Sequence, residues 1–466
     1  MLPLDLTGLA VTAVSVDGTR TDARVSDGKV IVPLPPGHRI GQQLRVRVEY
    51  AGTPDDGLAI RNNLHGRRAI FADNWPNRAR FWFPALDYPA DKATATLTVD
   101  APTGWKVIAN GERRQAAVAN RWIWDIAEPI STYNIVIGAA DMDVASAGRS
   151  CVPAAHCVDV TTWLFPEDRA RAAKFHRAPQ MVTFFSRHIA PFPYEKLAHV
   201  ESSTRFGGME NATAIFYDEK RVSADGDIDA LVAHETAHQW FGDSVTPATW
   251  ADLWLSEGFA TYFATLFFED ADGVATLRQR MDVDRRTFIG SKVASRPIVD
   301  PREPDLFKLL NENNYEKGGW LLHMLRGLVG DRAFFDGVRR YYAAHAHGTA
   351  TTADFRSAVE HASGRELGWF FDQWVLQPGF PRLRVTWNWS PTVRAADIVI
   401  EQTQDAAWPT FRLPLTLAVR TAGGVVRRTI EIDERRETVR IPLRAEVTGV
   451  DVDPDVWALM ELHTTR

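Results

Sequence analysis

The stretch "LVAHETAHQWFGD", residues 231–243, places two histidines four positions apart, with a glutamate directly after the first. If this apolar stretch forms a helix, residues four apart lie on one face, one turn from each other. His234 and His238 then face the same small object, and Glu235 lies beside it. Two imidazoles with an adjacent carboxylate suit a zinc ion that keeps one coordination position open. The alternative is that both histidines are structural side chains of an amphipathic helix.

A zinc ion held by two histidines needs a third protein ligand. Glu257 follows His238 after 18 intervening residues, in the apolar run "ADLWLSEGFATYF". Acidic side chains are disfavoured among Leu, Trp and Phe unless they are paired or bind a metal. The order His, His, Glu therefore predicts a zinc site of His234, His238 and Glu257, suited to activating water for amide hydrolysis. The alternative for Glu257 is a first-turn glutamate that suits the helix dipole.

The bulk composition argues against two classes of partner. The chain has 466 residues, of which 45% are hydrophobic and 24% charged, and its net charge is -6. This balance gives no electrostatic reason to expect nucleic acid or an anionic membrane. No apolar run approaches the length of a membrane span, and the first residues lack the pattern of a secretory signal. We therefore predict no nucleic-acid partner and no membrane span.

Two cysteines, Cys151 and Cys157, are six positions apart. They either close a small disulfide loop in an oxidising compartment or both stay free. A weaker alternative is a second metal site that includes His156 between them. The sequence leaves the compartment unknown, and only paired cysteines would favour a periplasmic or secreted protein.

Hydrophobic periodicity divides the chain into three parts. Residues 1–143 alternate apolar and polar positions, which is typical of antiparallel β-sheet. Helical patterns dominate residues 144–378, and alternation returns over residues 379–466. The predicted helices are 228–241, 253–269, 318–329, 331–344, 352–362 and 366–376, and the stretch "PEDRARAAKFHRAPQMVTFFSRHIAPFPYEKL" is predicted to be one further helix ended by a proline-rich loop.

Several motifs together resemble one family. "HETAHQWFGDSVTP" followed by "WADLWLSEGFATYF" resembles the zinc metallopeptidases of the aminopeptidase N and leukotriene hydrolase family, the gluzincin aminopeptidases. "RFGGMENATAIFYDE" resembles that family's exopeptidase motif, and "YEKGGWLLHMLR" resembles the segment that carries its catalytic tyrosine. "RARFWFPALDYPADKAT" and "FFDQWVLQPGFPRLRVTW" match its front domain and the junction that follows its catalytic domain.

The resemblance implies a multidomain α+β fold. An N-terminal antiparallel β domain is expected over residues 1–143 and a thermolysin-like, mainly α catalytic domain over residues 144–378. A C-terminal β-sandwich is expected over residues 379–466. The resemblance also implies a front domain without its first strands and a short form without the large helical C-terminal domain of many relatives.

The resemblance also implies a role for each matched residue. Glu235 is the expected general base for the attacking water, and the Tyr315 hydroxyl is expected to stabilise the oxyanion together with one zinc ion per chain. Glu210 is expected to bind the α-ammonium group of the substrate. The implied substrate-binding residues are Gly207, Gly208, Met209, Glu210 and Asn211. Trp75 stands where the family usually has a second acidic residue, which puts that residue's contribution in doubt.

The predicted function is a zinc aminopeptidase that removes one residue from peptides with a free N-terminus. A zinc endopeptidase of the thermolysin type has the same ligand set, but the "GGMEN" motif argues against it. A catalytically silent scaffold would be expected to lose Glu235, a ligand or Tyr315, and all are present. Epoxide hydrolysis, which occurs in one branch of the family, is a further alternative.

Overall fold

The computed structural model describes residues 1–465. The chain divides into two compact units. The first comprises Met1–Thr249 and His345–Ala350, and the second comprises Trp250–Ala344 and Thr351–Arg466. Among the described residues, no helix combines the length and the apolar character that a membrane span requires.

The N-terminal part of the first unit is built of antiparallel strands, as the alternating pattern predicts. The strands are β1 Leu2–Asp5, β2 Ala10–Val16, β3 Thr19–Arg20, β4 Arg24–Ser26, β5 Lys29–Val32, β6 Val46–Ala51, β7 Leu58–Asn62, β8 Arg68–Ala72, β9 Lys92–Asp100, β10 Lys106–Ala109, β11 Glu112–Arg114, β12 Arg121–Ser131 and β13 Ile137–Ala140. They form four small sheets of order β1-β5-β4, β3-β2-β6, β10-β13-β8-β7 and β11-β12-β9. Val14, Val16, Val30 and Val32 are buried in one of the resulting cores.

A mixed five-stranded sheet follows, in a part of the chain that the sequence analysis assigned mainly to helices. Its strands are β14 Asp143–Cys151, β15 Cys157–Leu164, β16 Lys196–Ser202, β17 Gly208–Met209 and β18 Ala214–Asp218, in the order β14-β15-β16-β18-β17. β15, β16 and β18 run parallel. β16 and β18 are buried almost throughout and lack polar alternation, as is usual for parallel strands, which is why the periodicity did not reveal them.

Cys151 and Cys157 lie opposite each other at the ends of β14 and β15. They form a disulfide. The alternative of a metal site made of these cysteines and His156 is therefore wrong, because both sulfur atoms are bonded to each other.

Three helices belong to the first unit: α1 Ala178–His188, α2 Glu219–Ser223 and α3 Asp229–His238. The predicted helix over residues 228–241 is confirmed as α3, with a later start and an earlier end. The helix predicted in the stretch that begins at Pro166 is confirmed in its second half as α1, which ends before the proline-rich loop, but Pro166–Phe175 is a 3-10 segment and α1 begins separately. Pro179 has no amide hydrogen and favours the first turn of a helix, which explains the new start. The unit is completed by a parallel pair, β19 Thr246–Pro247 and β20 Thr349–Ala350.

Helices dominate residues 250–375. They are α4 Trp254–Asp272, α5 Val274–Ile289, α6 Gly318–Val329, α7 Asp331–His345, α8 Thr352–Ser363 and α9 Gly368–Trp374. The five helices predicted here are confirmed with small shifts of their ends. α5 was not predicted. Its buried residues are only Leu277, Met281 and Phe288, and in an otherwise charged segment these give a weak apolar periodicity.

The C-terminal part of the second unit returns to strands, as predicted. They are β21 Arg382–Ser390, β22 Ala395–Gln402, β23 Leu413–Thr421, β24 Gly424–Ile432, β25 Arg436–Pro442, β26 Val447–Val452 and β27 Glu461–Thr465. One sheet has the order β25-β22-β21-β27 and a second has the order β24-β23-β26. The division of the chain at residues 143 and 378 stays a prediction.

Candidate active site

The two histidines of the opening motif meet on one face of α3. Their Nε2 atoms lie 3.0 Å apart. Nδ1 of His238 lies 2.9 Å from the carbonyl oxygen of Phe241. A carbonyl oxygen only accepts hydrogen bonds, so Nδ1 carries the proton and the Nε2 of a neutral His238 keeps its lone pair. This backbone contact orients the ring in the way that second-shell partners orient metal-binding histidines.

Two carboxylates adjoin this pair. One oxygen of Glu210, one oxygen of Glu235 and a ring nitrogen of His238 all lie within 4.8 Å of one another. Both glutamates are 5% exposed. The structure thus brings together the residues predicted as amine-binding group, general base and metal ligand.

Gly208 leaves the space that Glu235 occupies. A Cβ atom at Gly208 would lie 2.2 Å from Oε1 of Glu235, whereas the nearest atom to a Cβ at Gly207 is Nε of Arg221, at 3.7 Å. The first distance is far below van der Waals contact, so position 208 excludes any side chain unless Glu235 moves. Only one of the two glycines is therefore required by the packing of the site.

The predicted substrate-binding segment forms the edge of the mixed sheet. Gly208 and Met209 make up β17, the terminal strand, and pair with β18. The Asn211 side chain donates a hydrogen bond to the Met209 carbonyl at 3.4 Å. A terminal strand presents backbone donors and acceptors to a further extended chain, which is how many proteins bind peptides.

Gln239 ties this segment to the end of α3. Its Nε2 donates to the Glu210 carbonyl and to Oδ2 of Asp243, each at 2.8 Å, and its Oε1 accepts from the Thr213 amide at 2.8 Å. This residue was not predicted from the sequence. A fully buried amide directly after His238, inside the apolar run "HQWFGD", is the signal that would have indicated it.

Two residues from the N-terminal part of the first unit, Asn134 and Lys92, form hydrogen bonds with Asp243. Asn134 donates to its Oδ1 at 2.8 Å, and Lys92 donates to the carbonyl oxygens of Asp243 and Ser244 at 2.9 and 2.8 Å. Burial raises the pKa of Asp243 well above its usual range, and the charge of Glu210 adds to this shift. Burial lowers the pKa of Lys92 to about 7, although Asp243 opposes the effect. No local sequence signal predicts these braces, because their partners are more than a hundred positions away.

Trp75 has a packing role next to the predicted substrate-binding segment. It is 2% exposed, and its ring lies edge-on to Phe206 with centroids 6.0 Å apart. Arg205 donates to Oδ2 of Asp73 at 3.1 Å. Trp75, which the resemblance aligns with the family's second acid, thus packs against the aromatic ring that precedes Gly207.

Glu257 belongs to the second unit and lies in the first turn of α4, where it is 4% exposed. The next residue is a glycine in very close contact. A Cβ at Gly258 would lie 2.8 Å from Cα of Gly318 and 3.2 Å from the carbonyl oxygen of Asn314. The two helices α4 and α6 therefore approach backbone to backbone directly beside Glu257.

Tyr315 lies in a π-helical turn, Asn313–Lys317, that leads into α6. Asn313 donates to the Val293 carbonyl and Asn314 donates to the Leu309 carbonyl, each at 2.8 Å. Such turns are rare and occur frequently at functional sites. The assignment of Glu257 and Tyr315 to one catalytic centre with the α3 residues stays a prediction.

Comparisons with known proteins agree with the resemblance seen in the motifs. Residues 5–133 match the peptidase M1 N-terminal domain, and residues 173–374 match the peptidase family M1 domain. Tricorn protease-interacting factor F2 of Thermoplasma volcanium is 30% identical over 331 residues, which cover 66% of this chain and 40% of the relative. Human glutamyl aminopeptidase is 29% identical over 72% of this chain and 38% of the relative.

A longer match is probable aminopeptidase 1 of Saccharolobus solfataricus, which is 25% identical over 94% of this chain and 57% of the relative. The chain thus spans about half or less of the length of most of these relatives. The crystal structure of Legionella pneumophila aminopeptidase A in complex with aspartic acid shares the fold, with a TM-score of 0.84 at 16% identity over 100% of this chain and 55% of that chain. With both M1 domains matched, the chain belongs to peptidase family M1.

Proposed function

We propose that this protein is a zinc-dependent aminopeptidase that hydrolyses the N-terminal peptide bond of peptides with a free N-terminus. The observation that carries the proposal is the convergence of Glu210, Glu235 and His238 within 4.8 Å. A general base beside a metal ligand serves any metallopeptidase. A second buried carboxylate, that of Glu210 at the end of a terminal strand, suits a substrate with a positively charged α-ammonium group. This feature favours the aminopeptidase over an endopeptidase.

His234, His238 and Glu257 are the proposed ligands of one zinc ion. The histidine pair fits a cation, because the Nε2 atoms of both rings converge to 3.0 Å and the Nδ1 contact of His238 with the Phe241 carbonyl leaves the Nε2 lone pair of that ring available to a metal ion. The neighbours of Glu257 on α4 are buried and uncharged. A buried carboxylate is costly unless it is paired or binds a metal, which favours a ligand role for Glu257. When bound, zinc supplies a Lewis acid that polarises water and the scissile carbonyl.

Glu235 acts first as the general base and then as the general acid of the reaction. Its carboxylate accepts a proton from the attacking water and passes it to the nitrogen of the leaving amine. The contact at Gly208 places Oε1 directly beside the segment along which the peptide is expected to lie. The base therefore needs no large movement to reach a scissile bond above this segment.

The substrate backbone is proposed to extend the mixed sheet at β17. Gly207, Gly208 and Met209 offer backbone groups to the peptide, and Glu210 binds its α-ammonium group. A charge that enters a partly dehydrated cleft needs a compensating anion, because desolvation of an unpaired charge is costly. Gln239 and Asn211 hold this segment in place through the Glu210 and Met209 carbonyls.

The Tyr315 hydroxyl is the proposed donor to the oxyanion of the tetrahedral intermediate. A phenol held in an ordered turn is preorganised for the charge that develops in the transition state. The side-chain hydrogen bonds of Asn313 and Asn314 supply that order.

The experiment that tests the function is a panel of aminoacyl fluorogenic substrates, assayed with and without a zinc chelator. We expect cleavage that the chelator abolishes and added zinc restores. An N-acetylated peptide of the same sequence serves as the matched control and should be cleaved far more slowly. Equal cleavage of free and acetylated peptides at internal bonds would contradict the aminopeptidase assignment.

Two further features complete the proposal for the chain as a whole. The two C-terminal sheets are proposed to form a β-sandwich, because the alternating burial of Leu383, Val385 and Trp387 on β21 gives this strand one apolar face.

The disulfide between Cys151 and Cys157 favours a periplasmic or secreted location, since such bonds persist in oxidising compartments.

A further inference from the structure

A second cluster of potential ligands lies in the first unit and shares no residue with the proposed catalytic set. One ligand atom each of His65, Asp168 and Glu201 lies within 4.8 Å of the other two. His65 is in the turn between β7 and β8, Asp168 is in the Pro166–Phe175 segment, and Glu201 is in β16. Three separate stretches of chain thus contribute to one cluster.

The Glu201 side chain is buried, but hydrogen bonds do not satisfy both of its carboxylate oxygens. The residue is 0% exposed. Its Oε2 accepts a hydrogen bond from the Phe165 amide at 2.9 Å, but no group among residues 1–465 donates a hydrogen bond to its buried Oε1. Burial raises the pKa of Glu201 to about 9, opposed by the Phe165 amide and reinforced by the charge of Asp168 and by the hydrogen bond that a protonated Glu201 makes to the Asp168 carboxylate. A buried acceptor of this kind is costly and calls for a positively charged or donating neighbour.

The residues around the cluster do not supply that charge. Nε2 of His65 lies 2.6 Å from Oδ2 of Asp168, so one imidazole faces the carboxylates of Asp168 and Glu201. Glu219, which accepts from the Leu64 amide at 2.7 Å, adds a third negative charge near Glu201. The guanidinium group of Arg61 donates to the Ser203 carbonyl, and its positive charge acts on Glu219. The carboxyl groups of Asp168, Glu201 and Glu219 thus adjoin one imidazole, and a divalent cation that displaces the Glu201 proton would meet a ligand set of net negative charge.

The backbone holds the cluster in a defined geometry. The side chain of Asn63 accepts hydrogen bonds from the amides of His65 and Arg67, at 3.1 and 2.9 Å, and so fixes the turn that presents His65. Asp168 is held by its amide, which donates to the Phe165 carbonyl at 2.9 Å. Glu201 lies within β16, which pairs with strands on both sides. Ligands on ordered elements lose little conformational freedom when they bind an ion.

We propose that His65, Asp168 and Glu201 form a second, structural metal site for a divalent transition-metal ion. One imidazole nitrogen and two carboxylate oxygens suit zinc among such ions. Zinc bonds to these atoms are about 2.0–2.2 Å long, so two ligand atoms of one ion lie at most about 4.4 Å apart. Small side-chain rotations bring the observed group within this limit. The ion would join the β7–β8 turn to β16 and to the segment before α1.

The test counts zinc in the full-length protein. Protein that has been stripped with a chelator, reloaded with zinc chloride and desalted should hold about two zinc ions per chain, each site taking one ion. Glu201→Gln, which keeps the shape of the side chain, should lower the content to about one ion. Glu167→Gln is the matched control, because its carboxylate is next to Asp168 but pairs with Arg67 at 2.8 Å. It should leave the content unchanged.

The outcomes separate this proposal from the proposed function. His234→Gln should also lower the content to about one ion, and that ion should disappear when Glu201→Gln is added. If only the catalytic site were wrong, the wild type would hold one ion and Glu201→Gln none. Equal zinc content in the wild type and Glu201→Gln would overturn the second site.

A second measurement does not depend on any variant. Wild-type crystals grown from the zinc-reloaded protein should show an anomalous-scattering peak between His65, Asp168 and Glu201 above the zinc absorption edge and not below it. An occupied catalytic site with no peak at the second position would overturn the proposal and would show that the cluster holds a proton instead.

Discussion

The helices α3 and α4 each carry proposed zinc ligands, yet different interactions hold them in place. The end of α3 is fixed by buried polar side chains, since Gln239 and Asp243 bond to the substrate-binding segment and to Asn134. α4 is fixed by the absence of a side chain, because Gly258 lets its backbone touch the start of α6. We therefore expect the residues at α3 to be sensitive to loss of their hydrogen-bond partners and of the space for the Glu235 carboxylate. We expect α4 to be sensitive to any side-chain volume added at position 258.

The largest expected effect tests the chemical role of α3. Glu235→Gln keeps the shape of the side chain but removes the proton acceptor. The turnover number should fall by about a thousandfold or more, while the zinc content stays unchanged. Asp229→Asn, in the first turn of the same helix, serves as the control and should retain most of the activity. Retained activity in Glu235→Gln would remove this residue from its role.

The next effect tests whether the segment beside α4 and α6 takes part in the chemistry. Tyr315→Phe removes one hydroxyl group and little volume. If that hydroxyl acts on the oxyanion, the turnover number should fall by about a hundredfold with little change in the Michaelis constant. Steady-state kinetics on one fluorogenic substrate measure both constants. A loss of affinity at unchanged turnover would make Tyr315 a binding residue.

A smaller effect tests the space at the substrate-binding segment. In Gly208→Ala the new methyl group meets the Glu235 carboxylate, whereas in Gly207→Ala it meets no atom closer than 3.7 Å. A displaced base should lower the turnover number of Gly208→Ala by about tenfold to a hundredfold. Gly207→Ala should differ little from the wild type. Similar rates for both variants would show that Glu235 has room to move.

The smallest effect concerns stability and tests the packing of α4. Gly258→Ala adds a methyl group 2.8 Å from the backbone of Gly318, while the closest contact of Gly319→Ala is only a side-chain methyl group, that of Thr261, at 3.3 Å. Overpacking against backbone should lower the free energy of unfolding by about 1–3 kcal/mol. Thermal unfolding followed by circular dichroism compares the two variants. A Gly258→Ala variant as stable as Gly319→Ala would contradict the close approach.

The sequence predicted the residues whose spacing is local and missed those whose partners are distant. His234, Glu235 and His238 follow from helical geometry, and the helices of residues 250–375 follow from apolar periodicity, except for α5. Asn134 and Lys92 gave no signal, because each meets Asp243 only through the fold. The cluster of His65, Asp168 and Glu201 was missed for the same reason, since three single residues with no spacing pattern come together.

The contact between Gly208 and Glu235 also limits how such an enzyme can be altered. One position serves two purposes there, since it lies on the expected path of the substrate and leaves room for the proposed catalytic base. A side chain introduced at position 208 to change which peptides are preferred would therefore lower the turnover number. Changes of substrate preference must come from neighbours such as Phe206, whose partly buried ring packs on Trp75. Directed evolution that diversifies positions 206 and 208 in parallel should recover active variants almost only at position 206.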